Sequence, residues 1–324
     1  MQIPLEKLKA VKTVIVHDNC PDGLASAIIL HDALPDAKIE FVQYGTEAHK
    51  KLVASPGMLF CDFSPHVENF QSFIDAGALV LDHHRTAKPI VDAFGENGAF
   101  GDEVTDPGVC GAVLAFEQVW RPFKEVQAPK QAGIAYDFAT LAGIRDTWQR
   151  QSPRWRDACI QAEALMFFPR EFWLQPMPFG AARSLVWEER MALGKLQFEK
   201  HEKSTQKAID AAYRFTTKLG TRVLVFEGLK ATSDAAEMLG ETVDLVVGFG
   251  YKVEEVDGKP TPKMLVSTRS HTTFDCAAQA KFYGGGGHTK AAGFSRELRD
   301  VDPNPFTMLS QLINVYEQCL APTA

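Results

Sequence analysis

The sequence predicts an α/β protein: an N-terminal domain on a parallel sheet, a helical linker and a smaller C-terminal α/β domain. Two observations carry this. Short continuous apolar runs alternate with stretches of helical spacing, the pattern of a parallel sheet with right-handed crossovers. The chain's 324 residues are enough for about two domains.

The elements follow in order. Val11 to Val16 (V-K-T-V-I-V) is largely β-branched, as in a strand covered on both faces. It stops at His17-Asp18-Asn19-Cys20-Pro21-Asp22-Gly23, and the LASAIILHDAL behind it has helical spacing. Lys38 to Val42 reads as a second strand. Met58 to Cys61 is a third, ending at Asp62-Phe63-Ser64-Pro65, with a helix following through Phe73. The fourth lies in Ala78 to Arg85 (A-L-V-L-D-H-H-R) and breaks off at Asp82, His83 and His84.

Ala87 to Asp106, rich in Gly, Asp and Glu, reads as a loop. Gly108 to Trp120 and Lys130 to Arg145 read as helices, the second delivering Asp146 just past an apolar face. Gln151 to Phe179 carries Trp155, Phe167, Phe168, Phe172, Trp173 and Phe179, an aromatic cluster more often core than base-stacking platform. Ala181 to Tyr213 reads as a long connecting helix with the domain boundary in or beside it. The expected divisions are 1–185, a linker at 186–213, and 214–324.

In the second domain Arg222 to Phe226, Leu245 to Phe249 and Met264 to Ser267 read as strands. EEVDGKPTP fits a hairpin turn. A short helix, Phe274 to Phe282, leads into Tyr283, four glycines (Gly284 to Gly287) and His288. The final APTA reads as frayed.

Composition narrows the function classes. An apolar fraction of 45% and a charged fraction of 23% are those of an ordinary globular protein. A net charge of −7 gives no electrostatic footprint for long duplex nucleic acid. Short phosphorylated ligands stay open, because bound cations would neutralise some acids and Arg145, Arg150, Arg154 and Arg156 could form a local basic patch. The six cysteines are scattered without a C-x-x-C pair, as in reduced thiols. With no signal-peptide core and no apolar run of membrane-spanning length, the expected location is the cytoplasm.

In parallel sheets, ligands gather at the carboxyl ends of the strands. Three strands here end in His17/Asp22, Asp62 and Asp82/His83/His84, all on one edge. A surface turn with incidental histidines would explain any one of them, but not all three together. The N-terminal set is His17, Asp18, Asp22, Asp62, Asp82, His83, His84 and Asp146. Carboxylate and imidazole donors without thiolates favour Mn²⁺, Mg²⁺ or Fe²⁺ over structural zinc. So many ligands suit two ions about 3.5–4 Å apart, holding a bridging hydroxide for attack on phosphorus, with Asp62 shared between them. The C-terminal set is Arg269, Ser270, the glycines Gly284, Gly285, Gly286 and Gly287, and His288. Glycines expose backbone N–H groups as an anion cradle, especially where a helix starts. Arg269 could grip a phosphate bidentately.

These motifs resemble the DHH phosphoesterases with a C-terminal DHHA1 domain. The likeness covers both halves: HDNCPDGLASA, LFCDFS, LVLDHHRTA and GIRDTW, then VSTRSHTTFDCAAQAKFYGGGGHTKAAGF. The resemblance implies an active site in the cleft between the domains. It implies Asp22, Asp62, His83 and Asp146 as ligands of one Mn²⁺, with His17 and Asp62 serving a second. Asp82 would orient a ligand and His84 would contact the scissile phosphate. Arg269, the glycines and His288 would hold the nucleotide.

One departure stands out. Many members of that family carry an acid where this chain has Cys20, and Asp18 or His17 would have to compensate. The implied activity is a Mn²⁺-dependent phosphodiesterase on short single-stranded RNA or DNA or on dinucleotides, with 3′,5′-bisphosphorylated nucleotides as further substrates. A non-catalytic nucleotide sensor or nucleic-acid binder with a degraded second metal site is the rival. The sequence leaves monomer or homodimer open.

Overall fold

The computed structural model describes residues 2–102, 104–125, 128–174, 181–256, 259–299 and 304–320, apart from the side chains at 129, 181–187, 256, 288 and 320. The chain forms two compact units, Met1–Phe198 and Glu199–Ala324. The division falls within one helix, Ala181–Asp210.

The first unit is built on five parallel strands: β1 (Thr13–His17), β2 (Lys38–Val42), β3 (Met58–Cys61), β4 (Leu79–Asp82) and β5 (Gly98–Phe100). Their order is β2-β1-β3-β4-β5. Both faces of the central strands are covered, which is why they read as unbroken apolar runs. Val14, Val16, Leu59, Cys61, Leu79 and Leu81 face one core with the helices Pro21–Ala33, Gly111–Ala115 and Pro129–Asp146. Ile15, Met58, Phe60 and Val80 face the other, with Phe73, Val91 and Phe94. The helix Pro21–Ala33 is largely buried all round, matching its small and apolar residues.

Two sequence expectations change here. The stretch read as a loop contains the helix Lys88–Ala93 and strand β5, whose three residues pair with β4. So short an edge strand leaves no periodic signal. The helix expected over Gly108 to Trp120 begins at Gly111, passes into a π turn at Phe116–Trp120, and continues to Lys124.

The second unit carries a six-stranded sheet: β6 (Tyr213–Thr216), β7 (Arg222–Glu227), β8 (Leu245–Val256), β9 (Lys259–Arg269), β10 (Gly286–His288) and β11 (Ala291–Glu297). Its order is β10-β11-β9-β8-β7-β6. Only β7 and β8 pair in parallel; the other neighbours are antiparallel. Strands β8 and β9 pair as far as Val256↔Lys259. Asp257 and Gly258, expected to form that turn, lie outside the described residues, as do Phe179 and the terminal APTA. The helices Thr232–Leu239, Cys276–Phe282 and Pro305–Leu320 complete the unit.

No helix starts at the glycine run. The N–H groups of Gly284 and Gly285 close the end of the helix Cys276–Phe282 on Lys281 O and Ala280 O. Gly286 to His288 then pair with β11 as an edge strand. Two of the N–H groups expected to cradle an anion are therefore spent on the helix end.

All six cysteines are free thiols. Among the described residues no helix is long and apolar enough to cross a membrane.

Candidate metal centre

The carboxyl ends of β1, β3 and β4, neighbours in the sheet, bring the first half's motifs to one point. His17 is the last residue of β1 and Asp82 the last of β4. Asp62 follows β3 in the left-handed region, φ 54°, a conformation Asp adopts more readily than most residues. Its N–H still bonds Leu81 O at 2.9 Å, so the sheet fixes the turn. Such backbone strain concentrates at functional sites.

Asp22 enters from the first turn of the helix Pro21–Ala33 and is 2% exposed. Gly23 behind it allows the helix to meet the end of β1, since a Cβ there would lie 2.2 Å from His17 O. The Asp22 carboxylate accepts the N–H groups of Gly111 and Ala112 at 2.6 and 2.9 Å. Asp146 arrives as the last residue of the helix Pro129–Asp146.

His83 is the meeting point. Its Nε2 lies 3.1 Å from Asp62 Oδ1, 3.5 Å from Asp146 Oδ2 and 3.6 Å from Asp22 Oδ2. Burial opposes its charge, but the Asp62 hydrogen bond and the three nearby carboxylates push its pKa up to about 10. Burial also works against the charge on Asp62; the nearby His17, the hydrogen bond with His83 and the charges of His83 and His84 outweigh it and hold that carboxyl low. Burial, joined by their neighbouring carboxylates, pushes Asp22 and Asp146 up. One imidazole nitrogen is thus shared among three carboxyl groups.

His17 Nδ1 faces Asp62 Oδ2 at 3.5 Å, the far limit for a hydrogen bond, and strict geometry leaves both buried atoms without a partner. Three groups of donors lie close enough to share an ion: Asp22, His83 and Asp146; Asp62, His83 and His84; and His17, Cys20 and Asp62. Asp62 belongs to two of them. Orphaned buried oxygen and nitrogen atoms beside surplus carboxylates are the environment a divalent cation satisfies, so the residues fit such an ion. The donor set is not free of thiols, because Cys20 sits in the third group. Asp18 turns away, with Oδ1 held by Arg170 at 2.9 Å.

Asp82 is fully buried and joins the surrounding groups by hydrogen bonds. Its Oδ1 accepts from His84 Nδ1 at 2.7 Å, and its Oδ2 accepts from Ser64 Oγ at 2.5 Å and Tyr44 OH at 2.9 Å. Burial raises its pKa, but the hydrogen bond and charge of His84, aided by Ser64, bring it below the ordinary value. The same contact raises His84 against the effect of its burial. Gly111, Tyr44 and Ser64 were not singled out from sequence. Gly111 supplies space and a backbone N–H, Tyr44 and Ser64 each a hydroxyl, and none of them carries a charge pattern to find.

Of the expected basic patch, Arg145 and Arg150 each lie 4.4 Å from the centre of the half-exposed Trp148 ring. Arg154 pairs with Asp137, and Arg156 stacks on Phe198. In the second unit Arg269 ends β9; its Nε donates to Ser233 Oγ at 3.0 Å and its Nη1 to Thr268 O at 2.8 Å. Ser270 is buried, with Oγ 3.3 Å from Thr272 Oγ1. The His288 side chain lies outside the described residues.

No protein-family model and no curated protein matches the chain. Solved structures do. The DHH domain of a member of a family of ribosomal proteins aligns at TM-score 0.61 and 12% identity, covering 98% of this chain and 88% of that one. A pGpG-specific phosphodiesterase of Vibrio cholerae aligns at TM-score 0.47 and 14% identity, covering 93% and 99%. The first likeness shows the fold: this chain has the fold of a DHH-domain protein.

Proposed function

We propose that the chain is a Mn²⁺-dependent phosphodiesterase acting on short single-stranded oligonucleotides or dinucleotides. The convergence of Asp22, Asp62 and Asp146 on His83 at one sheet edge supports this reading above all else. Asp22, Asp62, His83 and Asp146 would hold one ion, and His17 and Asp62 a second. Bound ions of this kind supply an acidified water to attack phosphorus and positive charge to the phosphoryl oxygens.

The chain's own groups position the substrate. With Nδ1 held by Asp82, His84 has Nε2 to donate to a phosphate oxygen. The Arg145–Trp148–Arg150 stack offers a base platform flanked by positive charge. In the second unit Arg269, Ser270 and the edge strand formed by Gly286, Gly287 and His288 are further substrate contacts. A 3′,5′-bisphosphorylated nucleotide presents the same chemistry in a smaller molecule.

The test is hydrolysis by chelator-stripped protein resupplied with Mn²⁺, on a 5′-labelled dinucleotide, a longer oligomer, a cyclic dinucleotide and a bisphosphonucleotide. Turnover is expected on the shortest substrates and lost in Asp62→Ala. Equal turnover by wild type and Asp62→Ala would sink the metal mechanism. Tight nucleotide binding without turnover would instead make the chain a sensor, the reading that Cys20 in place of an acid favours.

A further inference from the structure

Cys20 immediately precedes the helix Pro21–Ala33 without capping it by its side chain, and a donor atom of each of Cys20, His17 and Asp62 lies within 4.8 Å of the others. Besides this grouping, one unsatisfied contact at this spot points to a ligand. Asp62 is 1% exposed, yet its Oδ2 has no well-formed hydrogen bond. His17 Nδ1, opposite it, is buried and equally orphaned. Leaving two buried polar atoms facing each other unsatisfied costs stability unless something binds both. The neighbouring acid does not complete the group, because Asp18 accepts from Arg170 at 2.9 Å and from its neighbour Asn19 N–H at 3.0 Å.

We infer that Cys20 is the third ligand of the second ion, giving this chain a mixed imidazole–thiolate–carboxylate site that prefers a softer metal, Zn²⁺ or Fe²⁺. The inference rests on the metal reading above and deepens it. The two sites then differ in kind. Asp22, His83 and Asp146 offer the oxygen and nitrogen donors that suit Mn²⁺, whereas a thiolate shifts the second site towards zinc and iron. Burial and the charges of Asp62, Asp22 and Asp146 push the Cys20 thiol up, against the Gly23 N–H, so the ion itself must draw the proton off. On binding, the S–H proton leaves to solvent and a sulfur–metal bond replaces it, with no change of oxidation state.

Co²⁺ is the probe, because thiolate ligation gives it a near-ultraviolet charge-transfer band that oxygen and nitrogen ligands do not. Chelator-stripped full-length protein in a Cys319→Ser background, which removes the exposed thiol, is titrated with Co²⁺ and followed by absorption and equilibrium dialysis. The wild-type centre is expected to bind two ions and show the band. Cys20→Ser should lose the band. Cys20→Asp, which restores a hard donor and guards against a folding defect, should bind two ions without the band. Its preference for Zn²⁺ over Mn²⁺ should fall by roughly tenfold or more. A band that survives both substitutions, or a wild-type centre that fills with Co²⁺ and shows none, overturns the Cys20 assignment and leaves the metal reading intact. Wild-type protein that takes up neither Co²⁺ nor Mn²⁺ overturns both.

Discussion

His84 Nδ1 sits 2.7 Å from Asp82 Oδ1, the oxygen that also accepts the backbone N–H groups of His83 and His84 at 2.8 and 3.0 Å. One buried carboxylate therefore sets the turn, the ring orientation of His84 and, through it, the nitrogen offered to substrate. Asp82 ligates nothing in this reading. Asp82→Asn is expected to lower kcat by about 10- to 100-fold while Mn²⁺ still raises the melting temperature. Asp82→Ala should also destabilise the protein by about 1–3 kcal/mol, because Tyr44 and Ser64 lose their shared acceptor. A thermal melt with and without Mn²⁺, beside steady-state kinetics, separates the two effects. An unchanged kcat in Asp82→Asn would remove Asp82 from the positioning of His84.

Gly111 is the position where the centre has no spare room. A Cβ there would lie 2.3 Å from Asp62 Cβ and 2.9 Å from Asp22 Oδ2, while the Gly111 N–H holds Asp22 at 2.6 Å. Gly111→Ala must displace both carboxylates. The metal-free protein should lose about 1–3 kcal/mol, and Mn²⁺ should no longer raise its melting temperature. Gly133→Ala is the control, since a Cβ at that helix position meets nothing within 4 Å. It should leave the Mn²⁺ response unchanged and stabilise the helix by a few tenths to about 1 kcal/mol.

These two sites also mark what the sequence could convey. The first sheet was legible because β1, β3 and β4 are buried on both faces, which forces continuous apolar runs, and because their acidic endings fall on one edge of a parallel sheet. Strands β6 and β11 were not, since half-exposed antiparallel strands alternate with polar residues and mimic loops. The expected reach of β8 and β9 was short for a related reason: their outer halves, Lys252 to Val256 and Lys259 to Lys263, mix lysine, glutamate and proline without an apolar pattern, and the ion pair Lys263–Glu254 joins them across the strands. In the site, the charged residues announced themselves. Gly111 acts by having no side chain, which no local pattern announces, and Cys20 was visible only as the residue standing where the resembled family carries an acid. The glycine run stayed ambiguous because four glycines suit a helix end, a tight turn and an anion cradle alike; only tertiary pairing shows that two of them close a helix and two enter an edge strand.

His49 makes the stability of the first unit depend on pH. It is 4% exposed; its Nε2 lies 3.0 Å from Ser64 O and its Nδ1 3.3 Å from Gly45 N. One nitrogen donates and the other accepts, which only the neutral ring can do. Burial accordingly lowers its pKa from the ordinary 6.5, against the pull of the Ser64 carbonyl. A depressed folded value means the native state disfavours the extra proton. This contribution to stability is fully present above pH 6.5 and is lost as pH falls below it towards the folded pKa. The melting temperature of metal-free protein should drop between pH 7 and pH 5. His49→Gln, which cannot titrate, should flatten that part of the profile. Parallel profiles for the two proteins would show that His49 is not the group responsible.

Arg269 is the residue through which the second unit's role can be tested. Its guanidinium is held by neutral oxygens, Ser233 Oγ at 3.0 Å, Ser267 Oγ at 3.1 Å and Thr268 O at 2.8 Å, and no carboxylate pairs with it among the described residues. Burial disfavours its charge enough to lower its pKa, yet an arginine remains protonated at any physiological pH. A half-buried cation, fixed in orientation and lacking an anion, is arranged to receive one. Charged hydrogen bonds contribute about 1.5–3 kcal/mol, so Arg269→Ala is expected to raise KM for a dinucleotide by about 10- to 100-fold with kcat little changed. Arg269→Lys should not restore binding, because an ammonium cannot reproduce the planar fork. A KM that stays at the wild-type value in Arg269→Ala would exclude Arg269 from substrate binding and leave the first unit to hold the substrate alone.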